Sequence, residues 1–208
     1  MLLDWLKRKK QAKGYGIHSP FAYELITRVI KEEHGYTAFS DIEEILRENN
    51  IEPGNKKLNH LSYRLVSYFK PGKILELETG QGVNTLYISA ASKDAVCHCF
   101  DPDGKNVLLA RNLHTTFSNR VTFIDEIDIS ESYDAIFVYL DSFPIDMENL
   151  LEMSSGNTFW VISGIKTCSG KRFWAAITAD ERARITFDLN GIGIVILDKS
   201  HHKANYML

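Results

Sequence analysis

The spacing of apolar residues along the chain changes near Pro71-Gly72. Before this point apolar side chains recur every three to four residues, as Ile42, Ile45 and Leu46 do. That spacing places the side chains on one face of a helix. We therefore predict a helical N-terminal extension over residues 1–70, packed on a core domain formed by residues 71–208.

After Pro71 the apolar residues form short runs with helical stretches between most of them. The runs cover residues 73–77, 95–100, 121–124, 135–140 and 158–162. Continuous apolar runs separated by helices are typical of a parallel sheet that is covered on both faces. The predicted fold class is therefore α/β, with a doubly wound, mostly parallel, Rossmann-like sheet.

The C-terminal segment departs from this alternation. Two apolar runs, 184–189 and 192–197, are separated only by Asn190-Gly191. Asn-Gly between two such runs is a strong hairpin signal, so an antiparallel hairpin should close the parallel sheet. His201-His202 follows the hairpin, in a segment that we interpret as an exposed tail or an extension of the final strand.

Composition narrows the range of partners. The chain has 208 residues, 44% of them hydrophobic and 25% charged, which is ordinary for a globular protein. A net charge of −3 provides no general attraction for nucleic acid. No apolar run approaches the roughly 20 residues of a membrane span, so we expect no stable membrane insertion. Three cysteines without a disulfide-framework spacing favour a reducing, cytoplasmic location.

One segment has the features of a nucleotide-binding loop. Residues 74–86 read ILELETGQGVNTL, an apolar strand, a glycine-containing turn and a helix start. Gly80 and Gly82 lack a Cβ and let the backbone approach a ligand, and the helix beyond them presents free N–H groups. Asp101 follows Gly82 by 19 residues, at the end of the next strand, where an acidic side chain can bind ribose hydroxyls. Asp103 is a substitute, and either aspartate could instead cap the following helix.

This order of elements resembles the class I S-adenosylmethionine-dependent methyltransferases. The stretch LELETGQG looks like their first motif, and Asp101 matches the acidic residue after their second strand. The segment AKGYGIHSPFAYELITRVI is similar to one in a group of bacterial methyltransferase-like proteins with a Gly-x-His-Ser-Pro-Phe signature. The signature residues here are Gly16, His18, Ser19, Pro20 and Phe21.

The resemblance covers most of the chain and implies a cofactor and a type of substrate. The cofactor would be S-adenosylmethionine, and the methyl acceptor a small molecule that the sequence does not identify. The implied cofactor-binding residues are Glu76, Glu78, Gly80, Gly82 and Asp101.

Three departures from the family pattern bear on the chemistry. Glu78 stands where the family loop usually has glycine, and its carboxylate either faces the positive end of the cofactor or fills the cofactor's place. Tyr139 stands where metal-dependent relatives carry aspartate, and Ser163-Gly164 where they often carry an acidic pair. A hard cation needs several oxygen ligands, and Asp141 alone is insufficient, so we predict no catalytic metal.

Two histidine-containing segments have competing interpretations. His18 is a candidate general base, because its pKa range suits proton abstraction. Ser19-Pro20 also forms a plain helix start, in which His18 only fixes the preceding turn. In Cys97-His98-Cys99, consecutive strand residues face opposite ways, so the two cysteines share a face and His98 points away from them. We therefore interpret the cysteines as buried apolar residues and not as metal ligands.

The sequence therefore supports one leading function and two alternatives. The leading hypothesis is metal-independent methyl transfer from S-adenosylmethionine to a small molecule. The first alternative is a catalytically degenerate methyltransferase-like fold that serves as a binding or scaffold protein. The second is a nicotinamide-dependent oxidoreductase, against which the hairpin argues. The oligomeric state stays open, with a homodimer as one candidate.

Overall fold

A computed structural model describes residues 8–11, 15–115, 119–140 and 145–208. Residues 8–11 are helical. The helices that follow are α1 (Pro20–Leu25), continued by a π-helix (Ile26–Ile30), α2 (Thr37–Glu48), α3 (Lys56–Phe69), α4 (Val83–Ala91), α5 (Gly104–Leu113), α6 (Met147–Glu152) and α7 (Cys168–Ala179). The strands are β1 (Lys73–Leu77), β2 (Val96–Phe100), β3 (Val121–Phe123), β4 (Tyr133–Tyr139), β5 (Ser154–Ser163), β6 (Ile185–Asp188), β7 (Ile192–Ile196) and β8 (Ala204–Met207).

The strands form one sheet in the order β3-β2-β1-β4-β5-β7-β6-β8. Strand β1 pairs in parallel with β2 and β4, whereas β7 is antiparallel to both β5 and β6. The turn between β6 and β7 contains Asn190 and Gly191, with φ of 61° and 137°. The predicted α/β fold, with a mostly parallel sheet and a C-terminal antiparallel hairpin, is confirmed.

One strand lies beyond the predicted hairpin. Strand β8 pairs in parallel with β6, so His201-His202 precedes a further strand rather than ending the sheet. Strand β7 is antiparallel to β5, and β6 is antiparallel to β7. Strands β6 and β8 therefore run in the same direction as β1. The carboxyl ends of β1, β6 and β8 therefore lie along the same edge of the sheet.

Each face of the sheet has its own apolar core. Ile74 faces the first core, which it shares with Leu65 of α3. Leu75 faces the second core, together with Leu150 of α6 and Ile177 of α7. Successive strand residues point to opposite faces, which explains why β1 is apolar at both positions. In the described part of the chain, no helix is long and apolar enough to cross a membrane.

Candidate functional site

The glycine-containing loop, residues 78–82, lies against the carboxyl ends of β1 and β2. The backbone N–H groups of Glu78 and Thr79 both donate to Phe100 O, at 2.7 and 3.2 Å. Gly82 N donates to Thr79 O at 3.0 Å, which closes the turn before α4 begins. The loop is therefore held by the end of the neighbouring strand, at the edge where ligands bind in such sheets.

Three residues of the loop have left-handed backbone conformations. The φ angles are 62° at Glu78, 57° at Gly80 and 78° at Gly82. Only glycine adopts this region without steric cost, which explains the usual preference for glycine at the position of Glu78. This chain keeps the left-handed conformation at that position, but the residue carries a half-buried glutamate side chain where glycine has only a hydrogen atom.

Asp101 connects this loop to β2. Its Oδ2 accepts a hydrogen bond from Gly80 N at 2.7 Å, and its Oδ1 accepts one from Asp103 N at 2.8 Å. Asp103 instead accepts from Lys105 N at 2.9 Å and caps α5, as the alternative interpretation expected. Asn106 Nδ2 also donates to Asp101 Oδ1, at 3.5 Å. An ionised carboxylate can accept about four hydrogen bonds, so Asp101 keeps capacity for about one more, from a ligand. Ribose binding by Asp101 stays a prediction.

Glu76 is fully buried beneath the loop. Its Oε1 accepts from Asn84 Nδ2 and from the Tyr139 hydroxyl, each at 2.9 Å, and its Oε2 accepts from Thr85 Oγ1 at 2.5 Å. Burial raises the pKa of Glu76, and the three hydrogen bonds only partly oppose that rise. We call these four residues the Glu76 cluster: an acceptor surrounded by donors, as a buried carboxylate requires.

The Glu76 cluster also contains one open acceptor. Asn84 is in the first turn of α4 and 5% exposed, and its Oδ1 has no hydrogen-bond partner among the described residues. Most buried polar atoms are paired, so an unpaired one beside a ligand loop is a candidate contact for a ligand donor. Asn84 and Thr85 were not predicted, although two polar residues at the start of an apolar helix were a signal.

His114 fixes the loop from the other side. Its Nε2 donates to Gly82 O at 2.8 Å, because a carbonyl oxygen can only accept. Burial lowers the pKa of His114 and favours the neutral ring. A Cβ on Gly82 would lie 2.8 Å from His114 Nε2 and 3.0 Å from Ala110 Cβ. Gly82 is therefore required by its conformation and by this close approach, and no sequence spacing pointed to His114.

The structure does not bring His18 to the loop. His18 lines a cavity of about 680 Å³ together with His201 and His202. The ring of Phe21 stacks on that of His201, with the ring centroids 4.2 Å apart. Phe21 also borders a cavity lined by Gly72, next to the amino end of β1. His18 is thus at the opposite edge of the sheet from residues 78–82, where it is not placed to act as a general base on a ligand of the loop.

The rest of the signature has structural roles. Ser19 Oγ accepts from Ala22 N at 3.2 Å, and Pro20 is the first residue of α1. This is the helix start that the alternative interpretation of the segment described.

The residues considered as metal ligands are placed as follows. The Cys97 and Cys99 side chains are buried on one face of β2, with their sulfur atoms 3.6 Å apart, and His98 points away toward the Tyr133 hydroxyl. Within the described ranges, the group of three ligand-type side chains that lies close enough for a metal is these cysteines with Glu76. The hydrogen bond with the Cys99 thiol, together with burial, raises the pKa of Cys97, which disfavours the thiolate that a metal would need. Asp141 lies outside the described residues.

Sheet order and loop together define the class of fold. A mostly parallel sheet with one reversed strand, β7, and a glycine-containing loop after β1 constitute the methyltransferase-type Rossmann-like fold, and solved methyltransferases share it. One such protein, a methyltransferase from Geobacter sulfurreducens, aligns with 81% of this chain and 93% of its own, at a TM-score of 0.63 and 19% identity.

Two other neighbours are described with a bound product. The SAH-bound methyltransferase PaMTH1 of Podospora anserina aligns with 86% of this chain and 96% of its own, with a TM-score of 0.60 and 15% identity. An O-methyltransferase from Bacillus cereus in complex with SAH aligns with 84% of this chain and 95% of its own, with a TM-score of 0.57 and 18% identity. At these identities the likeness establishes the fold. No protein-family model and no curated protein matches the chain.

Proposed function

We propose that this chain is an S-adenosylmethionine-dependent methyltransferase that acts on a small-molecule acceptor without a catalytic metal. The observation that carries the proposal is the loop of residues 78–82. It is anchored to Asp101 and His114 at the carboxyl ends of β1 and β2, within a fold shared with methyltransferases. Anchoring on two sides preorganises a backbone cradle before any ligand arrives.

The side chains around the loop suit the parts of this cofactor. The remaining acceptor capacity of Asp101 suits the ribose diol. The open Oδ1 of Asn84, next to the negative Glu76, suits the ammonium group of the methionine part. When bound, S-adenosylmethionine would supply a methyl group on its sulfonium sulfur, and the carbon–sulfur bond would break as the acceptor bonds to that carbon in line. The chain's contribution is then mainly proximity and alignment.

Metal independence rests on what occupies the end of β4. Tyr139 offers a hydroxyl in place of a carboxylate, and that hydroxyl already donates to Glu76. A hard divalent cation prefers several charged oxygen ligands, and Tyr139 provides none. A cytoplasmic location remains part of the proposal, from the use of cysteine in the sequence.

The test is calorimetric titration of the full chain with S-adenosylhomocysteine, with NAD as the control ligand. We expect heat and an increased melting temperature with the first ligand and neither with the second. Asp101→Ala should weaken binding by about tenfold or more, because a charged acceptor for the ribose is lost. Asp103→Ala is the matched control: it removes the cap of α5 without touching the loop, and its affinity should stay close to that of wild type.

The outcomes separate the alternatives. If millimolar S-adenosylhomocysteine gives no heat and no stabilisation, the proposed function is rejected and the scaffold role is left. Tight NAD binding would favour the oxidoreductase. Unchanged affinity in Asp101→Ala would remove Asp101 from the site. The scaffold alternative is not favoured by the structural neighbours, which are described as methyltransferases.

A further inference from the structure

Another cavity, distinct from the two near Phe21, opens at the same edge of the sheet as the glycine loop. Its volume is about 400 Å³, within the range of small-molecule sites. Its apolar walls are Ile30, Leu61, Leu189 and Leu208, of which the last two directly follow β6 and β8. Strand β6 is four positions from β1 in the sheet, or about 19 Å at the usual strand spacing. The cavity is therefore separate from the loop of residues 78–82.

Arg64 lines this cavity and forms no direct ion pair within the described ranges, although the Glu32 carboxylate is near enough to act on it electrostatically. Its Nη1 donates to Glu32 O at 2.8 Å and its Nη2 to Ile30 O at 3.5 Å, both uncharged acceptors. Its Nε is buried and has no hydrogen-bond partner among the described residues. A guanidinium group carries five N–H donors in a fork that matches a carboxylate, and here most of them are unused. Burial lowers the pKa of Arg64, and the nearby Glu32 carboxylate opposes that shift only in part.

Lys57 adds a second positive charge to the same wall. It lies seven residues before Arg64 on α3, hence on the same face of the helix. Its Nζ donates to Leu189 O at 3.2 Å, again an uncharged partner. Of the acidic residues that border the cavity, Glu32 accepts a hydrogen bond from the Tyr36 hydroxyl at 2.7 Å, and Glu33 is exposed to solvent. Within the described ranges, neither acidic side chain forms an ion pair with Arg64 or Lys57.

We propose that this cavity binds a small organic carboxylate with an apolar tail. The carboxylate would pair with Arg64 and Lys57, and the tail would lie against the leucine and isoleucine side chains. A half-buried guanidinium with unused donors and no direct ion pair is unfavourable, and a bound carboxylate supplies both a contacting negative charge and the missing acceptors. The proposal goes beyond methyl transfer and does not depend on the cofactor.

Hexanoate and hexan-1-ol are suitable probes, because they share a tail and differ in charge. Each is titrated into the full-length chain without a cofactor, by calorimetry and by thermal melting. Hexanoate should bind at least about tenfold more tightly, the effect of one charge-assisted hydrogen bond. Arg64→Gln should abolish this preference. Arg47→Gln is the matched control, since Arg47 is an exposed arginine on α2 that pairs with Glu44 at 3.2 Å.

Arg64 also holds two backbone carbonyls, so its replacement could disturb the fold. Lys57→Gln keeps those contacts and should weaken hexanoate binding several-fold while leaving hexanol binding unchanged. The proposal is overturned if hexanoate and hexanol bind equally, if neither binds at millimolar concentration, or if a folded Arg64→Gln or Lys57→Gln variant retains the wild-type affinity for hexanoate.

Discussion

The Glu76 carboxylate is tolerated in the core because three side-chain donors, those of Asn84, Thr85 and Tyr139, form hydrogen bonds with it. One of these donors is Tyr139, at the position that the sequence resemblance assigns to an aspartate in metal-dependent O-methyltransferases. A carboxylate there would lie beside Glu76 and repel it, whereas a hydroxyl stabilises it. A tyrosine at this position thus supports the buried carboxylate and brings no second negative charge beside it.

Tyr139→Phe should therefore destabilise the protein by about 1.5–3 kcal/mol, since a hydrogen bond to a charged group is lost in the interior. Urea unfolding monitored by fluorescence measures the effect. Tyr206→Phe is the control, because the Tyr206 ring is buried but its hydroxyl bonds to no described residue. It should change the free energy of unfolding by less than about 1 kcal/mol. Equal effects of the two variants would mean that the hydroxyl of Tyr139 does not support Glu76.

Glu78 adopts a backbone conformation that favours glycine. Left-handed geometry costs a residue with a Cβ about 1–2 kcal/mol, and the greater freedom of glycine in the unfolded chain offsets about half of that. Glu78→Gly should then stabilise the protein and raise Tm by about 2–4 °C per kcal/mol gained. Lys70→Gly is a matched control with a similar φ of 50° at the end of α3, away from the loop.

Both variants should raise Tm to a similar extent. A lower Tm for Glu78→Gly alone would show that the glutamate side chain makes contacts worth more than the strain. Comparing the affinity of the two variants for S-adenosylhomocysteine then shows whether the carboxylate supports or obstructs the cofactor.

Helix α5 positions the loop, and two glycines test this claim. Gly82→Ala places a Cβ against His114 and Ala110, in addition to left-handed strain, so it should cost about 2–4 kcal/mol. Gly80→Ala has similar strain at φ 57°, with no atom within 4 Å of the added Cβ, and should cost about 1–2 kcal/mol. Chemical denaturation of both variants gives the difference. If the two variants lose the same free energy of unfolding, the contact of α5 and His114 with Gly82 does not constrain the loop.

The elements that could be predicted from the sequence are those whose pattern is local. The run at 73–77 and the Asn190-Gly191 turn have hydrophobic periodicity or turn chemistry of their own, and both are where they were expected. Strand β8, with the sequence ANYM, has neither, because it exists only through pairing with β6. The π-helix after α1 likewise had no pattern that distinguished it from an ordinary helix.

The site was predictable only in part, for a related reason. Gly80, Gly82 and Asp101 belong to one strand-loop-helix unit, and the structure brings them together at the loop. His114 joins them through a tertiary contact that no spacing encodes. His18 was considered because of its residue type, but the packing of Phe21 on His201 places that segment at the other edge.

The two ends of the described chain meet at Asp188, the last residue of β6. Arg8 donates to Asp188 Oδ2 at 2.6 Å and to Leu208 O at 3.1 Å, and Lys166 donates to Asp188 Oδ2 at 2.9 Å. Burial alone would raise the pKa of Asp188, but the hydrogen bonds from Arg8 and Lys166 outweigh it and hold that pKa below its usual value. The carboxylate therefore favours the folded state wherever it is ionised.

Asp188→Asn should destabilise the protein by about 3 kcal/mol at pH 7, because it leaves the mostly buried Arg8 without its anion; the loss to the more exposed Lys166 adds little. A group with a lowered folded pKa stabilises above its unfolded pKa, so the cost should shrink as the pH falls below about 4. Glu148→Gln breaks a pair of the same length, 2.6 Å to Arg182, at an exposed position, and should lower the free energy of unfolding far less than Asp188→Asn does. Urea unfolding of both variants at pH 7 and pH 3 decides the matter. If the cost of Asp188→Asn does not change with pH, the ion pairs contribute little, and the N-terminal segment is held to β6 and β8 by other contacts.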